Sequence, residues 1–413
     1  MKKIVLFIRL ILRSKFFFKT PQNCELIIFD ETSFKDLKIC LSKINTFVLQ
    51  TRFESTNKIY FSYKIFKQIF KNFFKGNLFT VYLISLIELI KPKVVITNID
   101  NSIKFSDVAK VLDKKINFIA IQNASRIDLL EYSYLYNVKK LKNNVLEKFY
   151  LPNFFCFGDY EIDLYKKLNI KTRNIYPVGS LRWANFIYKN KENTNFEKKY
   201  NSDICLVPET FAAPNDKTIK EHMIASRLYT DGVIENGFAK IIKYTVKFCI
   251  RNKMKLILLC KRDKKYSPAG YKTEIDFFKR NLNDEEFQYV EKNILEKDTD
   301  DFSSFKAVFN SKVTVGICST LLKDKLATGG KILSCNFTKK DMYDFPVNGI
   351  CTLNDCSYEE FEKRLREIYS ISKESFFSKL DKKSDYVMKL SNNYSVIEQI
   401  RKKLSHFGIN QNF

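Results

Sequence analysis

Residues 313–337, VTVGICSTLLKDKLATGGKILSCNF, constrain this chain more than any other stretch, because they read as strand, tight turn, helix and strand. Val313, Val315 and Ile317 are β-branched and flanked by small residues, as a buried strand requires. Ser319 or Thr320 stands where a helix N-cap belongs, since a short hydroxyl accepts from the open backbone amides. Leu321, Leu322, Lys325 and Leu326 carry the helix, Gly329-Gly330 ends it, and residues 331–337 return as a second buried strand. A helix entered straight from a strand turns its free first-turn amides into the crevice at the strand end, a position that favours phosphate. Ser319 and Thr320 therefore have two readings: a cap alone, or a cap that also seats an anion.

The theme recurs along the chain. Residues 93–100, KVVITNID, form a strand with Asn98, Asp100 and Asn101 at its carboxyl end. Residues 117–126, NFIAIQNASR, form another, ending in Gln122, Asn123, Ser125 and Arg126. Shorter strand candidates lie at 24–30, 46–52, 153–158, 174–180, 203–209 and 255–260. They end in Gly179-Ser180, in Glu209 and in Lys261-Arg262-Asp263, and Gly179 permits a close backbone approach. Between them, apolar spacing predicts helices over 33–43, 59–74, 78–90, 105–112, 160–168, 237–252 and 303–309. Pro92 stops the third of these, and Ser357 with Glu360 makes a capping box for a helix to Tyr369. The tail 372–404 reads as helix with a break near 383–385. Strand–helix alternation with polar strand ends is the pattern of a parallel α/β sheet with a site along those ends. Ordinary loop polarity is the competing reading of each cluster.

The chain's 413 residues exceed one ordinary α/β core and suit two domains. Residues 185–202, NFIYKNKENTNFEKKYNS, lose apolar periodicity, which places a linker there between domains at 1–184 and 203–385. A composition 45% hydrophobic and 15% aromatic supplies the core. The formal charge of +25 comes mostly from lysines spread along the chain, in a sequence rich in Ile, Asn, Phe and Tyr. That pattern argues against nucleic-acid binding and for an anionic substrate or a membrane surface. The ten Cys form no C-x-x-C pair and sit in apolar runs, as buried hydrophobes in a reducing compartment do. With only His222 and His406, and with Asp298-x-Asp300 in an acidic loop, no metal site is expected. The N-terminus MKKIVLFIRLILRSK is interrupted by Arg9 and is too short to span a bilayer; an edge strand or amphipathic helix with room for peripheral membrane contact is the expectation.

In order, VVITNIDN, FIAIQNASR, CFGDYEIDLYKK, YPVGSLR, SDICLVPE, LLCKRDKK and the stretch 311–338 resemble the bacterial surface carbohydrate biosynthesis proteins. These look like GT-B glycosyltransferases and, more distantly, the glycerophosphotransferases of wall-polymer synthesis. The resemblance runs from about Cys24 to Leu404. It implies two Rossmann-like domains facing across a cleft, the first for the acceptor and the second for the nucleotide-activated sugar. Residues 386–413 would form a helix packing back on the first domain. Relatives often carry His after Gln where this chain has Gln122-Asn123, and an amide does not titrate, so a base must come from elsewhere or activity is lost.

Glycosyl transfer needs positive charge and amides for the leaving phosphate, a base for the acceptor hydroxyl, and a cleft that excludes water. Ser319, Thr320, Gly179, Ser180, Lys261 and Arg262 are the candidates for nucleotide and phosphate. Asp100 is the first choice of base and Glu209 the second, though Asp100 also suits an Asx turn that shapes a loop. Asn98, Asn101, Gln122, Asn123, Ser125 and Arg126 would hold acceptor or donor. The expectation is metal-independent transfer of a sugar to a glycan or lipid-linked acceptor in cell-surface polysaccharide or lipopolysaccharide synthesis. It would take place in the cytoplasm at the inner face of the membrane, with no cofactor beyond the nucleotide sugar. A polyol-phosphate transferase, a nucleotide-sugar epimerase and a non-catalytic scaffold are the rivals on the same fold.

Overall fold

The computed structural model describes residues 12–52, 56–140, 142–190, 198–210, 232–297, 302–390 and 396–409. The expectations for residues 1–11, for His222 and for Asp298-x-Asp300 lie outside the described residues, as does 191–197 of the expected linker. The strands are β1 (Lys15–Phe17), β2 (Leu26–Phe29), β3 (Thr46–Leu49), β4 (Lys58–Tyr60), β5 (Val94–Thr97), β6 (Asn117–Ile121), β7 (Tyr150–Cys156), β8 (Lys171–Pro177), β9 (Ser202–Val207), β10 (Leu256–Leu258), β11 (Ser311–Gly316), β12 (Lys331–Asn336) and β13 (Thr352–Asn354).

They assemble into two main parallel sheets, ordered β3-β2-β5-β6-β7-β8 and β10-β9-β11-β12-β13, with β1 and β4 paired separately. Both are α/β layers of the Rossmann-like kind, and both share one logic. In each, the second strand lies outside the first, so the order reverses at β2/β5 and again at β9/β11. Ligands of such sheets bind outside the carboxyl ends at that reversal.

The central strands are apolar runs because both faces are covered. Along β6, Phe118 and Ala120 pack among the helices Leu78–Ile90 and Ile103–Leu112, while Ile119 and Ile121 face the opposite layer with Leu181, Ile397, Ile400 and Leu404. Along β9, Ile204 and Leu206 join Phe238, Ile242 and Val246 of the helix Val233–Arg251, and Cys205 and Val207 face Ala307 and Val308. All ten cysteines are buried thiols, as expected. Their burial pushes Cys205 and Cys249 up to about 12.

The tail departs from the expected broken helix. Only Lys373–Ser378 and Val396–His406 are α-helical among its described residues. Between them the chain is bound elsewhere: Leu380 bridges Gly349, and Lys389 N–H donates to the Phe157 carbonyl at 2.8 Å. This crossing segment explains two glycines. A Cβ at Gly158 would stand 2.5 Å from the Tyr386 carbonyl oxygen, and one at Gly179, whose φ is +94°, 2.4 Å from that of Lys389. The close approach at Gly179 is thus to the protein's own backbone.

Other differences have local causes. Residues 59–74 split into β4 and a helix Tyr63–Lys71, because Ser62 caps the helix by accepting from Ile65 N–H. The helix Leu181–Lys189 runs past Ala184, since Trp183 and Phe186 pack on Phe302 and Phe305. The helices Pro268–Asn281 and Asp284–Asn293 were not anticipated, although Pro268 in a first turn and the Asn283/Glu286 capping box are readable signals.

Candidate functional site

A cleft of about 490 Å³ lies between the carboxyl ends of the two sheets. The first sheet contributes Asn123, Ser125, Ser180 and Arg182; the second contributes Glu209, Lys261, Ser319, Thr320 and Asp324.

The second wall is built at the β9/β11 reversal. Gly316 lets these strands close up, for a Cβ there would be 2.7 Å from the Val207 carbonyl oxygen. Cys318 takes a φ of +31°, which turns the chain sharply into the helix Thr320–Ala327. Ser319 caps that helix, its hydroxyl accepting from Leu321 N–H at 3.4 Å. Lys261 extends from the end of β10 to 3.6 Å from Glu209, which follows β9. Its loop is pinned from below: the buried Glu274 carboxylate accepts the Lys261 and Arg262 amides, each at 2.8 Å. Burial pushes the Glu274 pKa up against those amide bonds. Arg262 does not line the cleft; its side chain lies against Gly270 of the helix Pro268–Asn281.

Asp324 was missed by sequence reasoning. It follows Thr320 by one helical turn, is 1% exposed, and neither carboxylate oxygen has a hydrogen-bond partner among the described residues. Burial pushes its pKa up to about 7, outweighing the pull of Ser180, Arg182 and Lys323 nearby. The only signal in the sequence is the run Lys323-Asp324-Lys325 between leucines, which periodicity treats as a solvated turn. All three are buried. Lys325 is satisfied by the Phe309 and Ser311 carbonyls at 3.0 and 2.8 Å, with burial depressing its pKa to about 8.

The first wall spends its polar groups internally. Asp100 is fully buried in a two-pronged ion pair with Arg126, and Tyr165 donates to it at 3.3 Å. A base must reach the proton it abstracts. Asp100 is held by Arg126 and Tyr165 and does not line the cleft, so it is corrected from base to structural anchor. Arg126 also donates to the Asn123 side-chain carbonyl at 2.7 Å, which leaves the amide NH₂ as the polar end not taken by Arg126. Gln122 bridges the Ala124 carbonyl, Glu161 and Phe157 N–H. Asn98 donates to Asp36 and Asn101 to Asp128. Asn98, Asn101, Gln122 and Arg126 therefore hold strand ends together and do not line the cleft.

Polar contacts near the cleft floor help to tie the walls. Thr320 Oγ1 accepts from Ser125 N–H at 2.8 Å and lies 3.3 Å from its hydroxyl. Lys323 and Glu161 form an ion pair of 2.8 Å with side chains 3% and 1% exposed, and Glu161 also accepts from Gly158 N–H. Thr320 and Ser125 thus join the domains at the cleft floor.

No family model and no curated protein sequence matches this chain. Among solved structures, the UDP-GlcNAc 2-epimerase of Methanocaldococcus jannaschii in complex with UDP-GlcNAc and UDP is similar at 12% identity and a TM-score of 0.48, over 92% of this chain and 99% of that one. The Neisseria meningitidis UDP-GlcNAc 2-epimerase bound to UDP-GlcNAc gives 12% and 0.44 over 92% and 99%. A UDP-glucose:anthocyanidin 3-O-glucosyltransferase in complex with UDP gives 8% and 0.45 over 94% and 99%.

Proposed function

We propose that this chain is a glycosyltransferase that takes a nucleotide-activated sugar at the β9/β11 reversal and transfers it to a glycan or lipid-linked acceptor held by the first domain, in cell-surface polysaccharide synthesis. One observation carries the reading. A capped helix N-terminus, a lysine and a buried carboxylate with no close hydrogen-bond partner among the described residues converge in one cleft of about 490 Å³, within the range that holds a small ligand or cofactor.

The first-turn amides beside Ser319 receive the phosphates, and Lys261 offsets the charge that grows on the leaving diphosphate. Glu209 holds Lys261 toward the cleft and is placed to bind donor hydroxyls. Asp324 takes the role first given to Asp100. As the acceptor hydroxyl attacks the anomeric carbon, the bond to the phosphate oxygen breaks and the hydroxyl proton passes to Asp324. A carboxylate titrating near 7 suits a base at neutral pH. Asn123 and Arg182 line the acceptor side. The positive charge needed comes from the helix and Lys261, which is the basis for proposing metal-independent transfer.

The test is calorimetry with UDP, GDP, CDP, CMP and their sugar conjugates, followed by turnover with whichever conjugate binds, with and without chelator. One nucleoside diphosphate should bind well above the rest. If none binds, the donor reading is wrong.

A further inference from the structure

The helix Tyr63–Lys71 carries more apolar surface than its protein contacts use. At about 100° per residue, Ile65, Ile69 and Asn72 share one stripe with Gln68. That stripe faces the helix Leu78–Ile90: Ile65 is buried, and Asn72 and Gln68 both donate to Glu88. A second stripe, Tyr63, Phe66 and Phe70, is turned away and is 80%, 47% and 64% exposed. The following turn adds Phe73 at 56%, Phe74 at 97% and Leu78 at 68%. Ring contacts join Phe66 to Phe70 and Phe73 to Phe74. Beside the helix start, Phe18 is 80% exposed and touches Phe16 and Phe61. Single exposed aromatics need no explanation, but a connected strip of them does.

A third stripe is basic: Lys64, Lys67 and Lys71, with Lys75 beyond it lying 3.7 Å from Glu88. From residue 56 to residue 87 the sequence holds no Asp or Glu, and none occurs from 12 to 24, which contains Arg13, Lys15 and Lys19. Aromatic and basic stripes side by side, with Glu88 held on the inner stripe by Gln68 and Asn72, match the chemistry of an anionic bilayer surface, with rings at the acyl boundary and ammonium groups at the phosphates.

We infer that this face, centred on Phe66, Phe70, Phe73 and Phe74 with their flanking lysines, docks the protein on an anionic lipid bilayer. Its position gives the docking a use. The helix Leu78–Ile90 leads through Lys91–Lys93 directly into β5, so it runs antiparallel to the strands and begins on their carboxyl-end side. The turn bearing Phe73, Phe74 and Leu78 is therefore on the side where the cleft opens. The inference rests on the surface alone and stands whether or not the transfer reaction does.

The experiment is flotation of the full-length protein with phosphatidylcholine vesicles and with mixed phosphatidylcholine–phosphatidylglycerol vesicles, at low and high salt. The protein should float with the anionic vesicles, be released by salt, and stay behind with neutral ones. Phe70→Glu combined with Phe74→Glu should lower partitioning at least about tenfold, since both rings would have to leave the acyl boundary. Both side chains are exposed, so the melting temperature should not change. Absence of flotation overturns the inference. So does undiminished flotation of the variant, which moves the contact elsewhere, for example to residues 1–11. A dimer that the variant splits, with no vesicle binding by either protein, would assign the face to a second copy instead.

Discussion

The two order reversals, β2/β5 and β9/β11, have the same topology and opposite fates. At the first, the polar side chains close on one another. Asp30, after β2, accepts from Thr32, Thr51 and Arg52. These bonds lower its pKa against the opposing effect of burial. Ser33 meets Thr97 at 3.2 Å, and Asn98 is tied to Asp36. At the second, Ser319, Glu209 and Lys261 line open space, and Asp324 is buried with no close hydrogen-bond partner among the described residues. A sheet that satisfies its own strand ends gains rigidity; one that leaves a carboxylate unsatisfied gives up stability, and such places are where binding and chemistry gather. The difference is that the first reversal ties its own polar groups together, while the second leaves Ser319, Glu209 and Lys261 lining the cleft.

The largest expected effect breaks the comparison outright. Asp324→Asn keeps the shape of the protonated side chain and removes its ability to take a proton. Turnover should fall by about 10²–10⁴, the range for loss of a general base, with donor affinity preserved. Steady-state kinetics beside calorimetry separates the two. If Asp324→Asn turns over like the parent, the base is elsewhere and Glu209 is next.

On the other side, Asp100→Ala should act on folding. It strands Arg126 in the interior, where an unpaired charge costs about 3–5 kcal/mol. Urea unfolding measures the loss, and activity per folded molecule should stay near that of the parent. A fully stable but inactive variant would return Asp100 to the chemistry and undo the contrast between the walls.

The sequence made the sheets legible because parallel strands buried on both faces show as apolar runs, as in VVIT and NFIAI. Ser319 was legible because a cap must lie between a strand and a helix. Which polar strand ends would be consumed was not legible, because their partners come from other loops. Arg126 reaches back to Asp100, and Lys389 crosses to Gly179 from a segment 210 positions on. Asp324 was hidden by helical periodicity itself, which gives no hint that a K-D-K run is roofed by the first domain through Lys323 and Glu161.

A pH titration sharpens the comparison without ligand. In the folded chain burial lifts the Asp324 carboxyl from 3.8, the value of an ordinary aspartate, to about 7. Between about pH 4 and 7 the folded state keeps a proton that the unfolded state has lost, so this group's contribution to stability declines as pH rises through that window and is level above it. The total is bounded at about 4 kcal/mol. Asp324→Asn should remove the decline and be more stable relative to the parent at pH 8 than at pH 4. Parallel stability curves for the two proteins would mean the carboxylate is not buried as described.

The smallest effect is expected at Lys261, and it discriminates best between a scaffold and a site. The side chain is 65% exposed and its contact with Glu209 spans 3.6 Å, so Lys261→Ala should change stability by less than about 0.5 kcal/mol. Its loop stays in place because Glu274 holds the backbone amides, which the substitution leaves intact. Loss of one charge-assisted contact to a phosphate should still weaken nucleotide binding by about tenfold, worth about 1.4 kcal/mol. Binding that falls while stability holds is the signature of a residue kept for a ligand. Equal affinity in the two proteins would show that the helix amides carry the phosphate alone, and that Lys261 belongs with the many solvated lysines of this chain.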